Sequence, residues 1–413
     1  FNDRLDQEIK KSDRSGLPLA LLFLDLDRFK EVNDSLGHIR GDDLLEITAQ
    51  RLNECTRESD TVARLGGDEF TIILSSLENS SNVYRVLESI LSSVEQPFQL
   101  EHERAYVTAS IGVTFYPSDA SNAEELIKNA DQAMYAAKNA GRNQTSFFTK
   151  NMQQASEART RLANELYQAL EKKQIWVAYQ PIVELQTGRI IKAEALARWS
   201  HPELGEISPG EFIPVAEETG MIVDIGFWVI ETALKQLQYW LHEKTLREDF
   251  TLAINLSPSQ LTDQFLAKKV KNLLNVYQIP ASHVEFEITE SNLISGEWAS
   301  EALQKISDLG VKVAVDDFGT GYSSLSHLKD YTIDVIKIDR SFVERIELTK
   351  PRQLFTAICA FSHSLEYETV AEGIETDIHD AICKEVGVTR LQGYYYSKPL
   401  PVTAFESQYF YAS

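Results

Sequence analysis

Short apolar runs alternate with helical stretches along the C-terminal part of this chain, and nearly every run carries a polar residue within it or at its end. The runs are Trp176–Gln180, Ile190–Leu196, Thr251–Leu256, Val284–Ile288, Val311–Asp316, Val335–Ile338, Thr369–Glu372 and Leu391–Tyr395. About eight strands in roughly 245 residues is the size of a (β/α)8 barrel. Glu194, Asn255, Glu287, Asp316, Lys337, Glu372 and Gln392 fall on seven different runs. A barrel gathers its strand ends on one face, so these groups are expected to meet around a single pocket. Polar groups inside β runs are costly without partners, and their repetition favours a site over charges scattered on helix surfaces.

Residues 1–150 read as a separate, mixed α/β domain of palm type. Its strands are expected at Leu19–Leu26, Val62–Leu65, Phe70–Leu74 and Tyr106–Tyr116, and its helices at Gly41–Leu52 and Ala123–Ala140. Gly66-Gly67 is a two-residue hairpin signal, because consecutive glycines accept the positive φ that such turns require. From Asn151 to Lys173 the sequence turns helical, with Leu162, Leu166 and Leu170 at i, i+4 and i+8 on one stripe. Residues 151–170 are therefore read as a packed connector, with a signal-transmitting helix as the sharper alternative, and 171–413 as the barrel.

Forty Lys and Arg against 62 Asp and Glu give a net charge of −22. Sequence-independent nucleic-acid binding and anionic-membrane binding both need a basic face, so neither is expected. A small anionic substrate remains compatible where metal ions and a few local cations overcome the global field. Cys55, Cys359 and Cys383 show no metal-ligand spacing and read as reduced buried thiols of a cytoplasmic protein. The longest apolar run, Leu17–Leu24, is far below the ~20 residues that span a bilayer. With Phe1 in place of an initiator Met, the chain reads as a soluble fragment, which leaves room upstream for sensors or a membrane anchor.

The oxygen inventory of the expected barrel face is Glu194, Asn255, Glu287, Asp316, Asp317 and Glu372. Several carboxylates in one pocket do not all ionise cheaply without cations. All-oxygen ligation without His or Cys points to Mg²⁺ or Mn²⁺ rather than zinc. Two such ions suit an in-line phosphoryl displacement. Glycosidases also pair carboxylates on barrels, but they seldom need this many acids together with an amide.

The segment Glu194-Ala195-Leu196-Ala197-Arg198-Trp199 resembles the signature of EAL-domain phosphodiesterases, which hydrolyse cyclic di-GMP to linear pGpG. Further segments follow in that family's order: Tyr179-Gln180-Pro181-Ile182, the run from Ser208 to Pro214, Asn255-Leu256-Ser257 and Glu287-Ile288-Thr289-Glu290. Then come Asp316 to Leu325, Lys337-Ile338-Asp339, Ala371 to Glu375 and Gln392-Gly393-Tyr394. The resemblance implies that Glu194, Asn255, Glu287 and Asp316 ligate one metal and that Asp316, Asp317 and Glu372 serve a second. It implies that Lys337 orients or activates the attacking water and that Arg198 clamps the phosphodiester. Gln180 and Gln392 are implied to order substrate or water, and Glu290 and Glu375 to support the metal site and the loop Asp317–Leu325. Thr332 stands where the family usually has Pro, and Ala197 where it has a larger aliphatic residue; neither is an implied ligand.

In the first domain Asp25 and Asp27 alternate on one strand, and Asp68 and Glu69 follow the glycine pair. Were strand and hairpin neighbours, Asp25 and Asp68 would share a metal, as palm-type nucleotide polymerases do. Gly66-Gly67-Asp68-Glu69-Phe70, together with Asp25 to Lys30, Asn33-Asp34, Gly37-His38, Gly41-Asp42, Ala130 to Tyr135, Lys138 and Gly141-Arg142-Asn143, resembles GGDEF diguanylate cyclases. These condense two GTP into cyclic di-GMP. The resemblance implies that Asp25 and Asp68 hold Mg²⁺ with GTP, that Glu69 assists in deprotonating the 3′-hydroxyl, and that Asn33 and Asp42 read guanine. Lys30, Lys138 and Arg142 are implied to bind phosphates. Arg57 and Asp60, five residues before Gly66, stand where the family has an inhibitory product site, though an isolated RxxD is more often a surface ion pair. The segment that normally opens this domain is cut short at Phe1.

Each cyclase domain holds one GTP, so synthesis implies a homodimer, whereas hydrolysis needs one barrel. The primary expectation is therefore cyclic di-GMP hydrolysis tuned by GTP in the first domain. The alternatives are a bifunctional enzyme and a non-catalytic cyclic di-GMP receptor.

Overall fold

Nine consecutive buried residues make Leu19–Asp27 (β1) the middle strand of the first of two units, Phe1–Thr160 and Arg161–Ser413. The computed structural model describes residues 1–77, 81–101, 103–243, 246, 249–290, 297–319 and 331–410. β1 pairs antiparallel with Glu69–Leu74 (β3) and with Thr108–Tyr116 (β6); β3 carries Thr61–Gly66 (β2) at one edge, and β6 carries Gln144–Phe147 (β7) at the other. Phe98–Leu100 (β4) and Glu103–Ala105 (β5) form a separate ladder.

Strand alternation divides the apolar residues of this sheet between two layers of helix. Leu22, Leu24, Phe70 and Ile72 pack with Leu44, Leu52, Leu87 and Ile90 of the helices His38–Cys55 and Ser81–Glu95. Leu21, Phe23 and Ile73 pack on the opposite face with Leu5, Leu126 and Met134 of Asn2–Ser15 and Ala123–Asn139. The hairpin lies one residue later than its glycine pair suggests. The two residues between β2 and β3 are Gly67 and Asp68; Gly67 has φ +54°, while Gly66 pairs with Glu69 across a bulge. Cys55 is half-buried and accepts a hydrogen bond from Ser89, unlike the buried Cys359 and Cys383, whose thiols burial pushes up to about 12.

In the second unit, among the described residues, eight strands close into a barrel. In sequence they are Ile175–Glu184 (β8), Ile190–His201 (β9), Thr251–Asn255 (β11), Val284–Thr289 (β12), Lys312–Phe318 (β13), Val335–Ile338 (β14), Glu368–Ala371 (β15) and Arg390–Leu391 (β16). Gly205–Ile207 (β10) and Leu400–Pro401 (β17) attach to β9 and β8. Strands β9 and β11 to β16 are mutually parallel, but β8 runs antiparallel to both neighbours. The run expected over Leu391–Tyr395 stops as a strand at Leu391, where the chain turns and Gly393 passes against the backbone of Ile374.

Outward residues of the barrel, such as Ala195, Ile254, Phe286, Val315 and Ile336, join the core shared with the surrounding helices. Inward residues are the set that matters for function. The helix Lys150–Ala169 packs Leu166 and Ala169 into the core of the second unit, with Leu162 and Leu170 partly buried beside them. Among the described residues no helix is long and apolar enough to cross a membrane.

Candidate active sites

The barrel pocket is built on Lys337, an inward residue of the short, fully buried strand β14. Its ammonium stands 2.8 Å from Glu287, 2.8 Å from Glu372, 3.1 Å from Asp316 and 3.5 Å from Glu194, so acids lying on or just after four different strands meet on one cation. Glu194 accepts from Asn255 Nδ2 at 2.7 Å and from Gln392 Nε2 at 2.6 Å. Asn255 is placed because β11 ends there: Ser257 and Gln260 form a capping box that starts the next helix at Pro258. Gln392 Nε2 also reaches Gln180 Oε1 at 3.2 Å. Because β8 is antiparallel, Gln180 lies mid-strand directly opposite Glu194 in register.

Asp316 and Asp317 are neighbours on β13 and would ordinarily point to opposite faces. A bulge between Val315 and Phe318, with Asp317 at φ +53°, breaks that alternation. Carboxylate oxygens of Asp316, Asp317 and Glu372 consequently lie within 4.8 Å of one another. Glu290, buried, accepts the Gly319 N–H at 2.6 Å and so holds the start of the following loop. Thr320 to Leu325, the rest of that loop as read from sequence, lie outside the described residues. Glu375 is exposed; its backbone N–H donates to His379, and among the described residues its carboxylate makes no hydrogen bond or ion pair. Arg198 is half-buried and donates to the Ala197 carbonyl at 2.7 Å; burial pulls its guanidinium below the ordinary value, against the Glu194 charge.

Electrostatics in this pocket are dominated by dehydration of an excess of acid. Burial pushes Glu287 well above the usual carboxylate range, and the Glu194 charge adds to that. Burial likewise lifts Glu372 to about 8, against the pull of Lys337. Asp316 and Asp317 move upward for the same first cause. Burial also acts to raise Glu194, but Lys337 and the hydrogen bonds from Gln392 and Asn255 hold it below the ordinary value. Burial opposes the Lys337 ammonium, yet the surrounding acids keep it protonated well beyond the normal lysine range.

The donor set fits hard divalent cations. It is all oxygen, it carries more negative charge than Lys337 balances, and among the described residues the buried Glu287 Oε1 accepts no hydrogen bond. One further buried pair, missed from sequence, lies inside the same barrel: Lys192 Nζ donates to both oxygens of Glu285, and both residues are fully buried. The signal was available, since each stands two residues before a proposed ligand.

In the first unit Asp25 faces Glu69 across β1 and β3, and the Leu26 N–H donates to the Asp68 carbonyl at 3.4 Å. The strand and the hairpin are thus neighbours. Burial raises Asp25 despite its 2.8 Å ion pair with Lys138, and burial followed by Asp131 and Asp68 raises Glu69. Asp27 is consumed structurally by Thr108, Ser110 and the Asn143 N–H. A Cβ on Gly41 would stand 1.9 Å from Asn33 Oδ1, so the absence of a side chain there lets the helices Phe29–Leu36 and His38–Cys55 bring Asn33 beside Asp42. Lys30, Asp42 and Arg142 are exposed. Asp60 accepts the N–H groups of Arg57 and Ser75 at 2.9 and 3.4 Å, while Arg57 is exposed.

Comparison with known proteins places these sites in context. Residues 163–399 match the EAL domain family and residues 1–144 the family described as diguanylate cyclase, GGDEF domain. The chain is 40% identical over 403 residues to the bifunctional diguanylate cyclase/cyclic di-GMP phosphodiesterase MucR of Pseudomonas aeruginosa, covering 97% of this chain and 58% of MucR. It is 37% identical over 411 residues to the cyclic di-GMP phosphodiesterase PdeR of Escherichia coli, covering 99% of this chain and 61% of PdeR. The chain thus spans little more than half the length of such relatives. Among solved structures, the P. aeruginosa MucR phosphodiesterase in complex with c-di-GMP superposes with a TM-score of 0.57 at 38% identity, over 59% of this chain and 99% of that one. The S helix-GGDEF-EAL structure of Vibrio cholerae LapD shares the fold at a TM-score of 0.64 and 19% identity, over 96% of this chain and 94% of that one.

Proposed function

The chain belongs to the family in which a GGDEF domain precedes an EAL domain, and we propose that its EAL domain hydrolyses cyclic di-GMP to linear pGpG while its GGDEF domain binds GTP and regulates that activity. The observation that carries the reading is the meeting of Glu194, Glu287, Asp316 and Glu372 on Lys337, with Asp317 drawn in by the bulge. Mg²⁺ or Mn²⁺ ions held by Glu194, Asn255, Glu287 and Asp316, and by Asp316, Asp317 and Glu372, would supply Lewis-acid activation of water and charge neutralisation at phosphorus.

The residues of the chain do the rest. Arg198 engages the phosphodiester, and Gln180 and Gln392 order donors along the Glu194 side of the pocket. Lys337, kept protonated by its acids, orients the water and balances charge as the P–O3′ bond breaks; its protonation argues against a part as the base. Glu372, lifted to about 8 by burial without metal, would give up its proton on ligating a cation. Incubation with cyclic di-GMP and Mg²⁺, followed by chromatography, should yield pGpG. Binding without product would identify a receptor instead, and a hydrolysis rate indifferent to GTP would remove the regulatory part.

A second reading, that the chain also synthesises cyclic di-GMP from two GTP as a homodimer, is supported by the juxtaposition of Asp25, Glu69 and Asp68. Asp68→Ala should then lower synthesis about 100-fold or more, by removal of a metal carboxylate, and leave hydrolysis in place. Radiolabelled GTP and cyclic di-GMP assays on the same preparation separate the two.

A pH dependence follows from the raised carboxyls. Glu372 is lifted from 4.5 to about 8, so between those values the folded chain retains a proton that the unfolded chain has released. Stability measured in a chelator should therefore fall as pH rises through this window, by up to about 1.4 kcal/mol per pH unit for each retained proton. Glu287 acts in the same direction, whereas Glu194, already ionised, contributes no slope there. Urea unfolding at pH 5, 6.5 and 8 measures the slope, and saturating Mg²⁺ should flatten it; a rise in chelator would contradict the assignment.

A further inference from the structure

Lys192 and Glu285 form a two-pronged ion pair inside the barrel, and no step of the proposed hydrolysis uses it. Side chains alternate along a strand. Lys192 therefore shares the inward face of β9 with Glu194, and Glu285 that of β12 with Glu287, each one pleat deeper. β11 separates these two strands; its Ala253 is in register with Glu285 and its Thr251 with Lys192. Four other inward residues, Ile182, Ala314, Val335 and Val370, pack together, while Arg390, in register with Val370, is ion-paired with Glu368.

Stability does not explain a charged pair at such a place. A buried pair is often no better than well-packed apolar residues of the same volume, whereas breaking one is expensive. Its neighbourhood suggests another use. Glu287 spends Oε2 on Lys337, and among the described residues its buried Oε1 accepts no hydrogen bond. Burial and, more weakly, Arg390 hold Lys192 below the ordinary lysine value, while Glu285 and then Glu287 favour its ammonium. An ammonium released from Glu285 would thus find an open carboxylate acceptor in the layer above.

We propose that Glu285 is a positioning residue: it holds the Lys192 ammonium down, away from Glu287, and so keeps Glu287 Oε1 available to a divalent cation. The inference rests on the metal role given to Glu287 above. It also assigns the two partners effects of opposite sign. Losing Glu285 liberates a competing cation at the site, whereas losing Lys192 removes that competitor.

The test is Mn²⁺ binding to the full chain without substrate, read from the electron paramagnetic resonance of free Mn²⁺, with a melting temperature for every variant. Glu285→Gln should weaken Mn²⁺ binding roughly tenfold or more, the effect of an added like charge a few ångströms away in a poorly screened interior. Lys192→Met/Glu285→Gln should return to within about threefold of the parent chain. Lys192→Met alone should bind no more weakly than the parent. Undiminished binding by Glu285→Gln, or a double variant as weak as Glu285→Gln, overturns the proposal. Should Glu285→Gln fail to fold, the other two decide it, and weaker binding by either overturns it. A parent chain that binds no Mn²⁺ overturns the metal reading of the pocket and this inference with it; the variant results above bear on this inference alone.

Discussion

Glu194→Ala should lower cyclic di-GMP hydrolysis by on the order of 10³-fold or more while leaving the chain folded. The expected loss combines a metal ligand with the acceptor that organises Asn255 and Gln392. Stability should move by less than about 2 kcal/mol, because deleting one acid from a crowded set relieves repulsion and offsets the cavity. Steady-state turnover at saturating Mg²⁺, with urea unfolding on the same preparation, gives both numbers. Retained turnover would refute the role of Glu194, and a collapsed unfolding transition would show that it serves the fold first.

Lys337→Met is expected to have the opposite profile, with a large effect on both readouts. Four carboxylates lie within 3.5 Å of the ammonium, and Lys337 is 1% exposed. Removing one partner from a buried ionic cluster typically costs about 3–5 kcal/mol, since the remaining charges are left uncompensated. The lysine is fully charged at pH 5 and at pH 8, both below its ordinary and its raised pKa, so its own titration adds no slope in that range. The acids do: protonated at low pH, they need no counter-charge. The deficit of the variant should therefore be larger at pH 8 than at pH 5, and Mg²⁺ should restore more stability to the variant than to the parent. Hydrolysis should fall about 100-fold or more even where Mg²⁺ rescues folding.

How far these sites could be read in the sequence depended on what kind of information each feature needs. Polar residues within or at the ends of β runs were legible because a strand has one periodicity and a barrel has one rim, so Glu194, Glu287 and Asp316 were expected to meet Lys337. Strand direction leaves no mark on periodicity, and the antiparallel course of β8, which sets Gln180 opposite Glu194, was invisible. Gly66-Gly67 announced a hairpin, but either glycine can take the positive φ; the register was decided by the pairing of β3 with β1 and β2. Lys192 and Glu285 lie one pleat below the acids of the rim, where no motif marks them. Alternation applied one step deeper would have placed both in the interior. Glu375 matched a motif, yet nothing in its residue type distinguishes an exposed acid from one that lines a pocket.

The bulge at Asp317 carries a consequence for how this chain would respond to directed evolution. An aspartate at φ +53° is held where glycine rests more comfortably, so Asp317→Gly would ease the backbone and erase a carboxylate in one stroke. If Asp317 ligates a cation as proposed, heat resistance and ion capture are set against each other at a single codon. A library selected only for survival at high temperature would drift toward catalytically silent barrels, and one selected for turnover would keep the strained residue and accept a lower melting point.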